Sequence, residues 1–165
     1  MSVLEVLIMG DPVLRLKAEP LADISDETRR LIKDMFDTMY EMDGVGLAAN
    51  QVGVAQRVIV VDPRETDVKP LGIVNPVIVA AADEVDRGEE GCLSIPGLKD
   101  IVERAASVII EGLDADGKAL RIEADGLLAR VLQHEVDHLD GVLFVDRVSP
   151  LKRKLLLKRW QKVKP

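Results

Sequence analysis

The chain has little with which to build a metal site or a disulfide: one cysteine and two histidines among 165 residues. A single cysteine excludes an intramolecular disulfide, so nothing asks for an oxidising compartment, and a thiolate serving as a ligand would favour a reducing one. Long apolar runs are also missing. No stretch approaches the ~20 residues of a membrane span. The apolar start, Val3 to Met9, is broken by Glu5 and lacks the basic flank and small-residue cleavage site of a signal peptide. These absences predict a cytoplasmic protein without membrane contact. There are no internal repeats or low-complexity tracts, so residues 1–165 read as one domain. That length is enough to bury roughly 70% of the surface exposed by the unfolded chain and to stand as a monomer.

With 47% apolar and 31% charged residues, the composition is that of an ordinary globular protein. Its net charge of −7 is unevenly placed. Residues 152–165 hold seven Lys or Arg and no acid, which leaves −14 on the rest of the chain. A basic C-terminal helix points to an anionic partner, or else simply complements an acidic body and its own C-terminal dipole.

Both histidines fall in Gln133-His134-Glu135-Val136-Asp137-His138-Leu139. On a helix this spacing stacks two imidazoles on one face, about 6 Å apart between Cβ atoms, close enough to share one metal ion. The helix is well signalled. Asp125 is its candidate N-cap, Leu127, Leu128, Val131, Leu132, Val136 and Leu139 form an apolar stripe, and Gly141 supplies the stop. Glu135 adjoins the first ligand and can take and return the proton of an attacking water. The alternative is a helix with two surface histidines and a solvated acid.

A third ligand separates these readings. Residues 139–165 contain no glutamate, and the longer HExxHxxGxxH pattern is followed as far as Gly141 before Phe144 stands where its last histidine belongs. Asp140 and Asp146 remain possible, and Cys92 is the one soft donor. A lone cysteine is more often inert packing, but this one has two aligned histidines to join.

Ser25 or Asp26 can cap a helix reaching about Met42, with Leu31, Ile32, Met35, Phe36, Met39 and Tyr40 as its buried face. The small-residue run from Asp43 to Gly53 follows a helix, which excludes a dinucleotide loop. It reads as backbone that comes close to a ligand, or as a tight turn. Strands are expected over Arg57 to Asp62, Leu71 to Val79, Ser107 to Asp114 and Lys118 to Ala124, the last two joined by a turn at Asp114-Ala115-Asp116-Gly117. Cys92 lies on a constrained loop or short strand. Ser149-Pro150 opens a final helix that Leu151, Leu155, Trp160 and Val163 would dock. The expected class is α+β, with mainly antiparallel sheets packed around a central HExxH helix flanked by N-terminal and C-terminal helices.

Taken together, Gly44-Val45-Gly46-Leu47-Ala48-Ala49-Asn50-Gln51, Glu90-Gly91-Cys92-Leu93-Ser94 and the HExxH segment resemble the three motifs of the peptide deformylases in order and spacing. Leu4 to Glu19 and Ser149-Pro150-Leu151-Lys152 are similar to the bacterial members, so the likeness covers nearly the whole chain. It implies removal of the N-formyl group from newly made polypeptides that start with formylmethionine, releasing formate. It further implies that Cys92, His134 and His138 bind the metal and leave a fourth position for water, and that Glu135 manages the proton. Gln51 and the Leu93 backbone N–H would stabilise the developing oxyanion. The peptide would pair with Val45, Gly46 and the chain at Glu90 and Gly91, and its first side chain would enter a pocket lined by Val45, Leu127 and Val131. A His2Cys set alone suggests zinc. The resemblance implies iron(II), one per chain, with zinc, nickel or cobalt as substitutes. A substrate that emerges from the ribosome makes the ribosome the expected partner of the basic C-terminal helix.

Overall fold

A computed structural model describes residues 2–165. The first long helix, α1 (Asp26–Glu41), is capped by Ser25. Its hydroxyl accepts from the Thr28 N–H while the Thr28 side chain accepts from the Ser25 N–H, which satisfies two donors that a helix start leaves open. Ile32, Met35 and Met39 are buried as expected, and Leu31 and Phe36 are half-buried. Tyr40 departs from the expected face. It is exposed, and its hydroxyl donates to Asp62 at 2.7 Å.

Seven strands follow: β1 (Gly46–Ala48), β2 (Val58–Val61), β3 (Leu71–Ala81), β4 (Val85–Gly91), β5 (Lys99–Ala105), β6 (Ser107–Leu113) and β7 (Ala119–Asp125). Five form an antiparallel sheet in the order β1-β2-β3-β6-β7, and β4 pairs with β5 in a separate hairpin. The four expected strands are present with ends shifted by one or two residues. The turn from Asp114 to Gly117 joins β6 to β7, with Gly117 at φ +81° and Asp114 Oδ1 accepting from the 116 and 118 N–H groups. Three strands were not anticipated. β1 is too short and glycine-rich to show alternation, and β4 and β5 are mostly charged.

The second helix, α2 (Gly126–Leu139), lies on the five-stranded sheet. Ala129, Leu132, Val136 and Leu139 pack with Ile59, Ile73 and Ile110 in one apolar cluster. Asp125 occupies the N-cap position, yet its side chain makes no capping hydrogen bond. Leu127 leaves the expected stripe and is exposed. Gly141 ends the helix at φ +76°, and a Cβ there would stand 2.7 Å from the Arg15 carbonyl oxygen, so glycine is required twice over.

The third helix, α3 (Pro150–Val163), starts at Ser149, whose hydroxyl accepts from the Lys152 N–H. Its docking face differs from the expected one. Trp160 is buried as expected, together with Leu156, against Ile95, Leu98 and Phe144, whereas Leu151 and Leu155 face outward and Val163 stays largely exposed at the edge of the contact. Leucines at 151, 155, 156 and 157 surround the helix, so spacing left two faces open and tertiary contact chose between them. The α+β class and the central place of the HExxH helix agree with expectation. Among the described residues no helix is long and apolar enough to cross a membrane.

Candidate metal centre

The α-helical repeat sets His134 and His138 one turn apart, with Nε2 atoms 3.2 Å from each other. Cys92, in the turn directly after β4, brings its Sγ to 3.3 Å from His138 Nε2. All three ligand atoms lie within 4.8 Å of one another. Two nitrogens bound at 2.0–2.1 Å to a tetrahedral ion stand about 3.3 Å apart, so the imidazole pair fits a shared ion without rearrangement. Asp140 and Asp146 are elsewhere, paired with Arg57 at 3.0 Å and with Arg15 and Arg153.

Behind His134 lies a buried ionic layer. Its Nδ1–H donates to Glu90 Oε1 at 2.8 Å, which turns the Nε2 lone pair toward Cys92 and His138. Glu90 also accepts from Arg104 Nε and Nη2 at 2.8 and 2.9 Å and from Arg130 Nη1 at 2.7 Å. Arg104 continues to Asp137 at 2.6 Å, and Asp137 accepts two bonds from Arg147. Burial alone would raise the Glu90 carboxyl, but hydrogen bonds from Arg104 and His134 outweigh it and hold the group well below the usual carboxylate range.

The two imidazoles have opposite tendencies. Burial, reinforced by the charge of His134, pushes His138 well below its ordinary value. At His134 burial acts in the same direction, but the Glu135 carboxylate, Cys92 and Glu90 overcome it and raise the group. Only the imidazole with a bare Nε2 can ligate, so the raised His134 couples ion binding to proton release.

Glu135 is 4% exposed, with its Oε1 unpaired among the described residues, and burial pushes its carboxyl up to about 7. Gln51 is fixed at both ends of its amide. Its Oε1 accepts from the Ala48 N–H at 2.9 Å, and its Nε2 donates to Ser94 Oγ at 3.0 Å while lying 3.6 Å from Cys92 Sγ. Gly44, between α1 and β1, and Gly46, the first residue of β1, make room for protein side chains. A Cβ on Gly44 would stand 2.8 Å from Leu93 Cδ1, and one on Gly46 would stand 2.5 Å from Glu135 Oε2.

These groups face a cleft of about 620 Å³. Val45, Gly46, Gln51, Glu90, Gly91, Cys92, Leu93, Leu127, Val131, His134 and Glu135 all line it, and the fully buried His138 sits behind. Val131 is buried and also belongs to the sheet core, while Leu127 stands exposed at the mouth. Glu90 faces the cleft, although its carboxylate is turned back onto Arg104, Arg130 and His134.

A family model described as polypeptide deformylase matches residues 3–154. The chain belongs to the peptide deformylase family. It is 48% identical over 163 residues to the peptide deformylase of Thermodesulfovibrio yellowstonii, covering 98% of each chain. The crystal structure of a peptide deformylase from Legionella pneumophila superposes with a TM-score of 0.88 at 45% identity, covering 99% of this chain and 100% of that one. The Ehrlichia chaffeensis peptide deformylase in complex with actinonin superposes with a TM-score of 0.93 at 39% identity, covering 99% of both chains.

As a peptide deformylase, the chain is a metal-dependent hydrolase that removes the N-formyl group from new polypeptides. Sequence reading missed several residues around this deformylase's centre: Ser94, Arg104, Arg130, Asp137 and Arg147. Arg104 and Glu90 are 14 residues apart, and nothing joins them until the β4–β5 hairpin is known.

Proposed function

We propose that Cys92, His134 and His138 hold an iron(II) ion in this deformylase and that Glu135, Gln51 and Leu93 carry out the deformylation around it. The observation that carries this reading is the meeting of one thiol and two imidazole nitrogens beside a buried, unpaired carboxylate. When bound, the ion supplies the Lewis acidity that makes a water nucleophilic near neutral pH. Glu135 takes the proton of that water and passes it to the departing nitrogen. Charge that grows on the formyl oxygen is received by the Gln51 amide N–H and the Leu93 backbone N–H; removing one such donor in other hydrolases costs about 3 kcal/mol of barrier. Glu90 holds His134 in the ligating tautomer.

The substrate runs extended along the cleft. Its main chain pairs with Val45 and Gly46 at the edge strand β1 and with Glu90 and Gly91 at the end of β4, so selection falls to the first side chain. Val45, Leu127 and Val131 provide the apolar wall for methionine.

Formate release from formyl-Met-Ala-Ser by the iron- or nickel-loaded protein tests this. Glu135→Gln should retain metal and lose turnover. A metal-loaded wild-type chain that releases no formate would overturn the reading. Iron(II) follows from the family resemblance, with zinc, nickel or cobalt able to replace it. A thiolate on an oxidisable ion makes the iron form lose activity in air while the nickel and cobalt forms keep it; equal air stability would count against iron. The setting we infer is cytoplasmic, with a monomeric enzyme docking on the ribosome through the basic face of α3. Reversing the exposed Lys154, Lys158 and Lys162 to Glu should weaken co-sedimentation with ribosomes, and added salt should weaken it for wild type.

A further inference from the structure

Most cations near the cleft already have partners. Arg104 and Arg130 hold Glu90, Arg64 holds Asp43 at 2.8 Å, and Arg147 holds Asp137. Lys99, at the start of β5, and Arg159, on α3, are different. Both line the cleft and are exposed, and neither makes an ion pair or side-chain hydrogen bond among the described residues.

Their neighbours bring them to the same end of the cleft. Lys99 pairs with Gly91 across the hairpin, and its Cγ and Cε lie 3.2 and 3.5 Å from the point where a Gly91 Cβ would stand. The lysine stem therefore runs over the residue next to Cys92. Arg159 is one helical turn before Val163, on the same face of α3. Val163 Cγ2 lies 3.7 Å from the corresponding Cβ point of Gly97, in the turn that links Cys92 to Lys99. Of the acids lining the cleft, Asp43 is held by Arg64, Glu90 is buried in its arginine pair, Glu135 is buried beside the metal ligands, and Glu89 pairs with neither cation. Once the paired and buried groups are set aside, two exposed cations face a single exposed acid, Glu89, in the cleft of a protein whose net charge is −7. An acidic group is repelled by most of the surface and attracted here.

We propose that Lys99 and Arg159 form an anion-recognising outer end of the substrate cleft, so that this deformylase favours formyl peptides with an acidic side chain a few residues after formylmethionine. The inference rests on the substrate path described above. It gives α3 a part in substrate choice, separate from ribosome docking. Exposed ion pairs are individually weak, so two of them together correspond to a roughly threefold to tenfold preference.

The test uses metal-loaded full-length enzyme and C-terminally amidated formyl-Met peptides, with Asp, Ala or Lys placed in turn at the second, third and fourth positions. Amidation leaves the side chain as the peptide's one source of negative charge. At one of these positions the wild-type Asp-to-Ala ratio of kcat/KM should reach about threefold to tenfold, chiefly through a lower KM, and should fade as salt is added. Lys99→Ala with Arg159→Ala should bring that ratio to one, and Lys99→Arg with Arg159→Lys should preserve it. Removing equal charge outside the cleft, with Lys158→Ala and Lys162→Ala, should leave the ratio in place. Absence of an Asp preference at all three positions, or its survival in the Lys99→Ala/Arg159→Ala protein, would overturn the proposal. Turnover of the Ala peptides reports on the deformylase chemistry independently of either result.

Discussion

The helix that carries both histidines is held in two contrasting ways. Toward the five-stranded sheet it presents Ala129, Leu132, Val136 and Leu139, which pack against valines and isoleucines. Toward the β4–β5 hairpin it presents His134, Arg130 and Asp137, which meet Glu90 and Arg104 through ion pairs with side chains 4–13% exposed. The apolar side positions the helix, and the ionic side positions one ring on it. Apolar packing is tolerant of small shifts, whereas a carboxylate taking four hydrogen bonds from three residues defines a direction. The candidate ligand set lies along the seam between these two kinds of contact.

Breaking the ionic side should have the largest effect. Glu90→Ala leaves Arg104 and Arg130 as buried charges without their partner, so it should cost about 3–5 kcal/mol in urea unfolding. Metal affinity should fall about 10- to 100-fold in competition with a chelator, because His134 loses its orienting acceptor. Leu132→Ala, on the apolar side, should cost about 2–4 kcal/mol and leave chelator competition close to wild type.

Acid titration sharpens the contrast. The folded-state pKa of Glu90 is depressed below its unfolded value. Its contribution is therefore fully present above the unfolded glutamate value of about 4.3 and is lost as pH falls through the folded value. The urea midpoint of the metal-free protein should drop over that acidic range. Leu132→Ala should keep this pH dependence, and Glu90→Gln should flatten it. The smallest effect is expected at an exposed pair outside both layers. Arg121→Ala, which removes the bond to Glu111 at 2.9 Å across β6 and β7, should change stability by no more than about 0.5–1 kcal/mol.

The same division explains how far the sequence could be read. Helix α1, α2 and four strands of the five-stranded sheet were legible because apolar periodicity reports burial against an apolar neighbour. The hairpin was not, since Val85-Asp86-Arg87-Gly88-Glu89-Glu90-Gly91 carries no alternation of that kind and is stabilised by charges on other elements. The candidate metal ligands could be read from histidine spacing and the lone cysteine. The residues that orient them could not, because Arg104 and Arg130 look like ordinary surface arginines until the hairpin folds over α2. At Gly88 the fold shows how tight that closure is, since a Cβ there would stand 3.0 Å from Arg130 Nε.

Gly46 has a consequence that extends past its own strand. The volume that any larger residue would fill is occupied by the carboxylate of Glu135. One added methyl would press on that carboxylate and on Val131 Cγ1, 2.9 Å away, while leaving the backbone of β1 free to pair as before. Gly46→Ala, a conservative change for a strand, should therefore disturb the proposed proton carrier more than the sheet, lowering turnover while the urea midpoint stays near wild type.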